Sequence, residues 1–458
     1  MRRLHVLTWT LICCSITIFN STAEADQRVT WKVGLAKAII TPEAPMYLAG
    51  YGNRTAAAEG KLHDIWIKVM ALEDTAGRRG VIITSDVCGF SKSSYEAICA
   101  DLKKRCGLSR DQILLNYSHT HTGPALRECL QDYCDWNAKE RARIREYSFW
   151  LEKTIVDKVV EALEKMSPTK LFRTEGHCDF AVNRRENAEN EVSGKLKRGE
   201  KLKGPVDHRV PMLVARSPQG ELLAFIFGYS CHTTTLARTT WSGDYAGFAQ
   251  VSLEKNHPGV QAMFLQTCGA DANPLPRRSV ELCRSYGERL SNGVEAVLDK
   301  PMRPISPKLR TAFEFVDLEY EKVMTKKDLE AYTARGNSYG RWAKRMLGRL
   351  AAGETFEKSY PYSVQVWKLG DDQLWISLGG EVVVDYSIKF KSMYGQNTIV
   401  NGFAHDLTSY IPSRRIWDEG GYEGGALGEY GLPAMRWKPD IEDRITATVE
   451  RLVSKVKN

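Results

Sequence analysis

Residues 112–124 read QILLNYSHTHTGP, an apolar run that turns abruptly into hydroxyls and imidazoles before a Gly-Pro stop. A run this short, bounded by turn residues, fits a buried strand that ends in a loop, and the loop carries His119 and His121. The same switch recurs along the chain. Residues 222–227 lead to Cys231 and His232, residues 263–265 to the stretch from Cys268 to Pro274, and residues 374–378 to Gly379, Gly380 and Glu381; Asp86 likewise follows residues 81–84. Apolar, β-branched stretches predict strands over 31–40, 65–72, 80–87, 112–118, 210–215, 222–231, 261–267, 363–369 and 373–378. Between them, 93–104 reads as a helix stopped by Gly107, and 138–166 as one that ends before Pro168. The expected fold is α/β, with a mixed, largely parallel β-sheet core flanked by helices and the active site at the carboxyl ends of the strands, where loops gather in such sheets. Five such ends, if parallel, would converge on one pocket.

Composition narrows the function. The 64 Lys and Arg stand against 56 Asp and Glu, a mixed balance of +8 that excludes a polyanion-binding tail and points to no nucleic-acid partner. Arg2 and Arg3, the apolar run 6–19 and Ala23-Glu24-Ala25 read as a secretory signal over residues 1–25, so the product is expected to be exported. The competing reading, a retained membrane anchor, meets an apolar run shorter than the roughly 20 residues needed to span a bilayer. Residues 26–458 are expected to form one catalytic domain. Nine cysteines follow the signal, an odd number that leaves at least one free unless it bridges two chains, and Cys129 and Cys134 are spaced as local partners. Residues 194–204, GKLKRGEKLKG, read as a surface loop or, alternatively, a lid or a contact with anionic surfaces; the basic stretch 325–349 reads as a solvated helix face.

His119 and His121 form a close pair, and residues two apart on an extended segment point the same way. With His232 and Glu381 at analogous strand ends, two histidines and a carboxylate would make a catalytic zinc set with positions left open for water or substrate. The plainer readings are a satisfied core histidine for His232 and a helix-capping carboxylate for Glu381. Zinc-bound water ionises near neutral pH and the ion polarises a carbonyl, so this reading reaches a metal-dependent hydrolase without naming the bond.

At these residues the sequence resembles the neutral, non-lysosomal ceramidases. The shared features are Val33-Gly34, Thr41-Pro42, Gly50-Tyr51-Gly52, the SHTHTGP stretch at 118–124, Asn183-Arg184, Cys231-His232, the 269–274 loop, Gly379-Gly380-Glu381, Ser409-Tyr410-Ile411 and residues 422–425, YEGG. The resemblance implies a secreted zinc amidase that cleaves the N-acyl bond of ceramide, or of a related small N-acylated amphiphile, by attack of metal-bound water. It implies His119, His232, Glu381 and Tyr410 as zinc ligands, His121 as proton donor or oxyanion stabiliser, and Arg184 and Tyr422 as substrate contacts. Contact with a membrane surface stays open, with no transmembrane segment expected.

Two departures qualify the resemblance. Asn273 stands where the ceramidases carry a serine in a Gly-Asp-x-Ser-Pro motif, which removes a serine nucleophile but leaves an amide able to bond substrate. The chain also ends at Asn458 soon after the motifs, so no immunoglobulin-like carboxyl-terminal domain is expected. The alternatives are a zinc esterase or deacylase acting on a non-ceramide substrate, and a catalytically silent binding protein of the same fold.

Overall fold

The computed structural model describes residues 30–457, so the expected signal segment lies outside the described residues. The helices begin and end where local chemistry requires. Helix Lys92–Cys106 starts at Ser91, whose hydroxyl accepts the Ser94 N–H, and stops at Gly107 in the left-handed region (φ 73°). Helix Ala138–Glu164 starts in a capping box formed by Asn137 and Glu140, and buries Ile144, Leu151, Ile155 and Ala162 on one face.

Strands β1 Trp31–Ile39, β2 Trp66–Glu73, β3 Arg79–Ser85 and β4 Ile113–Tyr117 come first. Then follow β5 Ser167–His177, β6 Ala181–Asn183, β7 Arg209–Arg216, β8 Leu222–Tyr229 and β9 Gln261–Gln266. β10 Ala272–Pro274 and β11 Arg303–Ile305 precede β12 Leu309–Glu319, β13 Ser359–Leu369 and β14 Gln373–Gly379; β15 Glu381–Val382, β16 Ile399–Ala404 and β17 Tyr410–Ile411 come last. Thirteen strands join one sheet in the order β12-β13-β14-β16-β4-β3-β2-β1-β5-β7-β8-β9, with β11 beside β5.

The sheet folds back on itself. β1 meets β5 through only three residue pairs, Trp31 to Val33 against Thr169 to Ser167, and beyond that hinge the second half lies over the first. Met70, Leu72, Ile82 and Leu114 of one half pack with Leu213, Ile226, Met263 and Leu265 of the other. Helices Lys92–Cys106, Ala138–Glu164 and Ile441–Lys457 cover the outer face of the first half. Helices Asp244–Asn256 and Val280–Leu298 cover the second.

This layering corrects the expectation of a largely parallel sheet. The sheet is mixed but mostly antiparallel, and its parallel pairs are β3–β4, β8–β9 and β14–β16. Continuous apolar runs report burial on both faces, which is usual in parallel sheets with helices on either side. Here Ile67, Val69 and Ala71 of β2 face the helices, while Met70 and Leu72 face the other half of the sheet. The second cover is thus a β-layer, and the apolar run carries no information about strand direction.

The basic segment 194–204 begins inside helix Glu189–Lys197 and continues as a loop. The stretch 325–349 forms helices Lys326–Glu330 and Ser338–Ala351, the second burying Trp342, whose indole donates to the Leu432 carbonyl at 3.0 Å. The nine cysteines from Cys88 to Cys283 are all free thiols, Cys129 and Cys134 included. Among the described residues no helix is long and apolar enough to cross a membrane.

Candidate active site

The parallel pairs deliver the site. His119 leaves β4 with φ +59°, a left-handed conformation that a non-glycine residue adopts only when its surroundings enforce it. Its N–H donates to the Val87 carbonyl at 3.0 Å, and its Nδ1 lies 2.6 Å from the Cys88 carbonyl. His232, beyond β8, is held by its N–H to the Ala272 carbonyl and by Nδ1 at 2.9 Å from the Gly269 carbonyl. A Cβ on Gly269 would stand 2.4 Å from the Cys231 nitrogen, so only glycine lets these loops approach so closely. With each Nδ1 donating to a backbone carbonyl, both histidines turn Nε2 inward, the arrangement that orients imidazole ligands in metal sites.

Glu381 begins β15, paired in parallel with β17 so that it stands opposite Tyr410. One carboxylate oxygen lies 3.0 Å from His232 Nε2 and 3.3 Å from His119 Nε2; the other accepts the Tyr430 hydroxyl. The donor atoms of His119, His232 and Glu381 all lie within 4.8 Å of one another, and the three side chains are at most 2 % exposed. Protonation suits a cation. Burial alone would push the Glu381 carboxyl up, but His119, His232 and the Tyr430 hydroxyl hold it at about 2. Burial and then the Arg184 charge pull the His232 imidazole down to about 4. An ionised carboxylate, as at Glu381, and a neutral imidazole, as at His232, are forms that ligate metal.

Around this centre stand the other residues singled out from the sequence. His121 Nε2 is 3.1 Å from His119 Nε2, its ring meets Tyr51 edge-on at 4.6 Å, and burial drives its pKa well below the ordinary value, so the ring is neutral. Its Nδ1 is buried without a hydrogen-bond partner. Arg184 donates to the Tyr410 hydroxyl at 2.9 Å, to Glu423 at 2.7 Å and to the Asn273 side-chain carbonyl at 3.4 Å. The Tyr410 ring packs 5.0 Å from that of Tyr422, and the Tyr422 hydroxyl lies 3.0 Å from Glu429. His121, His232, Arg184, Tyr410 and Tyr422 line one hollow of about 330 Å³.

Four of the five expected strand ends therefore meet, and Asp86 does not join them. Its carboxylate accepts the Trp66 N–H at 3.0 Å and the Gln250 amide at 3.3 Å. Sequence reasoning missed Tyr430 and the Cys88 carbonyl, and met Glu423 only as a member of the 422–425 stretch, without a role. A phenol in a short turn, an ion-pair partner and a backbone oxygen have no spacing signature.

The neutral/alkaline non-lysosomal ceramidase N-terminal family matches residues 31–274, more than half of the chain. Neutral ceramidase A of Dictyostelium discoideum is 23 % identical over 196 residues, which are 42 % of this chain and 27 % of that protein's length. The fold resembles the crystal structure of neutral ceramidase from Pseudomonas aeruginosa (TM-score 0.68, 20 % identity, covering 93 % of this chain and 75 % of that one). A ceramidase complexed with C2 superposes equally well, at 19 % identity over 93 % of this chain and 76 % of its own. The chain belongs to the neutral/alkaline non-lysosomal ceramidase family.

Proposed function

We propose that the protein is an exported zinc-dependent amidase that cleaves the N-acyl bond of ceramide or a related N-acylated amphiphile. The observation that carries this reading is the buried trio of His119, His232 and Glu381, with Nε2 and carboxylate oxygens converging and each imidazole fixed from behind by a carbonyl. The residues fit a zinc ion, and Tyr410, in register with Glu381, is the fourth candidate ligand. Bound there, zinc would supply Lewis acidity to the amide carbonyl and acidify an attacking water.

The remaining steps fall to side chains. Neutral His121 sits beside His119 and is placed to take a proton from the attacking water and return it to the leaving nitrogen. Arg184 holds the Tyr410 hydroxyl and occupies the Asn273 carbonyl, which leaves the Asn273 amide nitrogen to donate to the oxyanion. Tyr422 borders the hollow and contacts substrate. With asparagine in place of the family serine, attack falls to water.

Zinc titration and amine release from an N-acyl substrate test this. His232→Ala should lose both stoichiometric zinc and turnover, whereas Asn273→Ala should keep the metal and lose about 10²-fold in kcat, as for loss of one oxyanion donor. Full activity in His232→Ala would overturn the ligand assignment.

A further inference from the structure

The hollow at the candidate metal centre has a second one beside it. Arg184, Arg277 and Tyr422 border both, and the outer hollow, about 470 Å³, also takes in Arg185, Glu189 and Glu423. Ligand chemistry can be read from how these charges are used. Arg277 grips Glu189 through two hydrogen bonds of 2.9 and 2.7 Å. Arg184 and Arg185 share Glu423 at 2.7 and 2.6 Å, and Arg185 also reaches Glu419 at 2.9 Å. Three guanidinium groups thus meet three carboxylates. In this outer hollow no cation is left over to attract an anionic ligand and no carboxylate to attract an amine, while Glu429 on the inner one accepts the Tyr133 and Tyr422 hydroxyls.

What remains is a neutral wall of paired donors and acceptors. A hydroxyl, which donates once and accepts twice, suits such a wall, and a methylene chain does not. Of the residues bordering the outer hollow only Leu275 is aliphatic, and none bordering the inner one is. The Tyr422 ring, 46 % exposed, offers an apolar face beside those polar groups. Met46, Tyr147 and Trp150 border a separate hollow of about 890 Å³ that shares no residue with these two.

We propose that the substrate is a small, neutral, polyhydroxylated N-acyl amine with a short acyl chain, an N-acyl amino sugar being the nearest chemical class. The inference rests on the amidase reading and changes only its substrate. Hydrolysis breaks the amide C–N bond; water gives its oxygen to the released acid and its proton to the sugar amine. The acyl group occupies the inner hollow, and the sugar hydroxyls bond to the Arg277–Glu189 and Arg184–Glu423 pairs.

The test compares N-acetylglucosamine, N-acetylsphingosine and a sixteen-carbon ceramide in detergent micelles, on zinc-loaded protein, by free-amine release. The expected result is a kcat/KM for the sugar at least tenfold above that for the long-chain ceramide. Glu189→Gln, which weakens the grip on Arg277 from the outer hollow, should raise KM for the sugar about tenfold and leave KM for N-acetylsphingosine within twofold. Ceramide preferred over the sugar, or a Glu189→Gln variant with unchanged KM for the sugar, would overturn this inference and leave the amidase standing. Stoichiometric zinc with no amide cleaved would remove the amidase reading, and this one with it.

Discussion

At the scale of single residues, a carboxyl group that holds two chain segments together also holds a proton. Asp271 is buried, accepts the Val384 N–H at 2.8 Å just beyond Glu381, and accepts the Asn183 amide at 3.2 Å beside Arg184. Burial outweighs these bonds and pushes its pKa from 3.8 to about 6. Between those values the native chain keeps a proton that the unfolded chain has released. The contribution is therefore full below about pH 4, declines as pH rises to about 6 and is flat above. Urea unfolding across this range should show a stability slope up to ~1.4 kcal/mol per pH unit steeper in the wild type than in Asp271→Asn, whatever the variant's absolute stability. Parallel slopes would show that Asp271 is ionised throughout. The sequence exposed this aspartate only as a member of a strand-end loop. His119, His232 and Glu381 were legible because reactive side chains follow apolar runs; Tyr430 and the ion-pair role of Glu423 were not, because they depend on partners far along the chain.

At the scale of elements, strained backbone concentrates where strands end. His119, Phe403 and His405 all have positive φ, and the Phe403 ring packs against the imidazoles of His119 and His232 at 5.1 and 5.8 Å. Gly380 joins them at φ +68°, and a Cβ there would lie 2.6 Å from the Ser409 carbonyl oxygen. That close approach lets β15 pair with β17 and sets Glu381 opposite Tyr410. Gly380→Ala should cost about 2–5 kcal/mol, the sum of a left-handed alanine and local overpacking. Isothermal titration should show zinc affinity falling with it, and an unchanged affinity would mean that Glu381 does not depend on this turn. The nine strands foreseen from apolar runs all occur, whereas β5, β12, β16 and the five strands of two or three residues escaped. β12 interleaves Arg310, Glu314 and Asp317 with its apolar residues, β5 carries Pro168, Lys170 and Arg173, and β16 is broken by Asn401 and Gly402. Each lacks the uninterrupted apolar run that marks a strand buried on both faces.

At the scale of the whole molecule, strand direction and the fold-back of the sheet are set by pairings between distant segments, and a single strand's composition does not encode them. Asn116 shows what closes the structure. Its side-chain amide donates to the carbonyls of Gln266, Gly402 and Phe403 at 3.1, 3.1 and 3.2 Å, and its oxygen accepts the Gln266 N–H at 2.9 Å. One buried residue of β4 thereby ties β9 and β16 together beneath the site. β4 leads to His119, and β9 leads to Gly269, whose carbonyl orients His232. Asn116→Ala orphans several buried backbone groups at once and should destabilise the protein by about 3–5 kcal/mol, since each such group costs ~1–3 kcal/mol. Leu114→Ala, two residues away in the core between the sheet halves, should cost a similar amount by leaving a cavity, about 2–5 kcal/mol. The two variants part in zinc titrations at a temperature where both are folded. Asn116→Ala lets the strand ends drift and should weaken zinc binding at least tenfold, while Leu114→Ala leaves the ends tied and should bind as the wild type does. Equal affinities in the two variants would show that the ligand loops hold their geometry without the stitch, and that Asn116 serves stability alone.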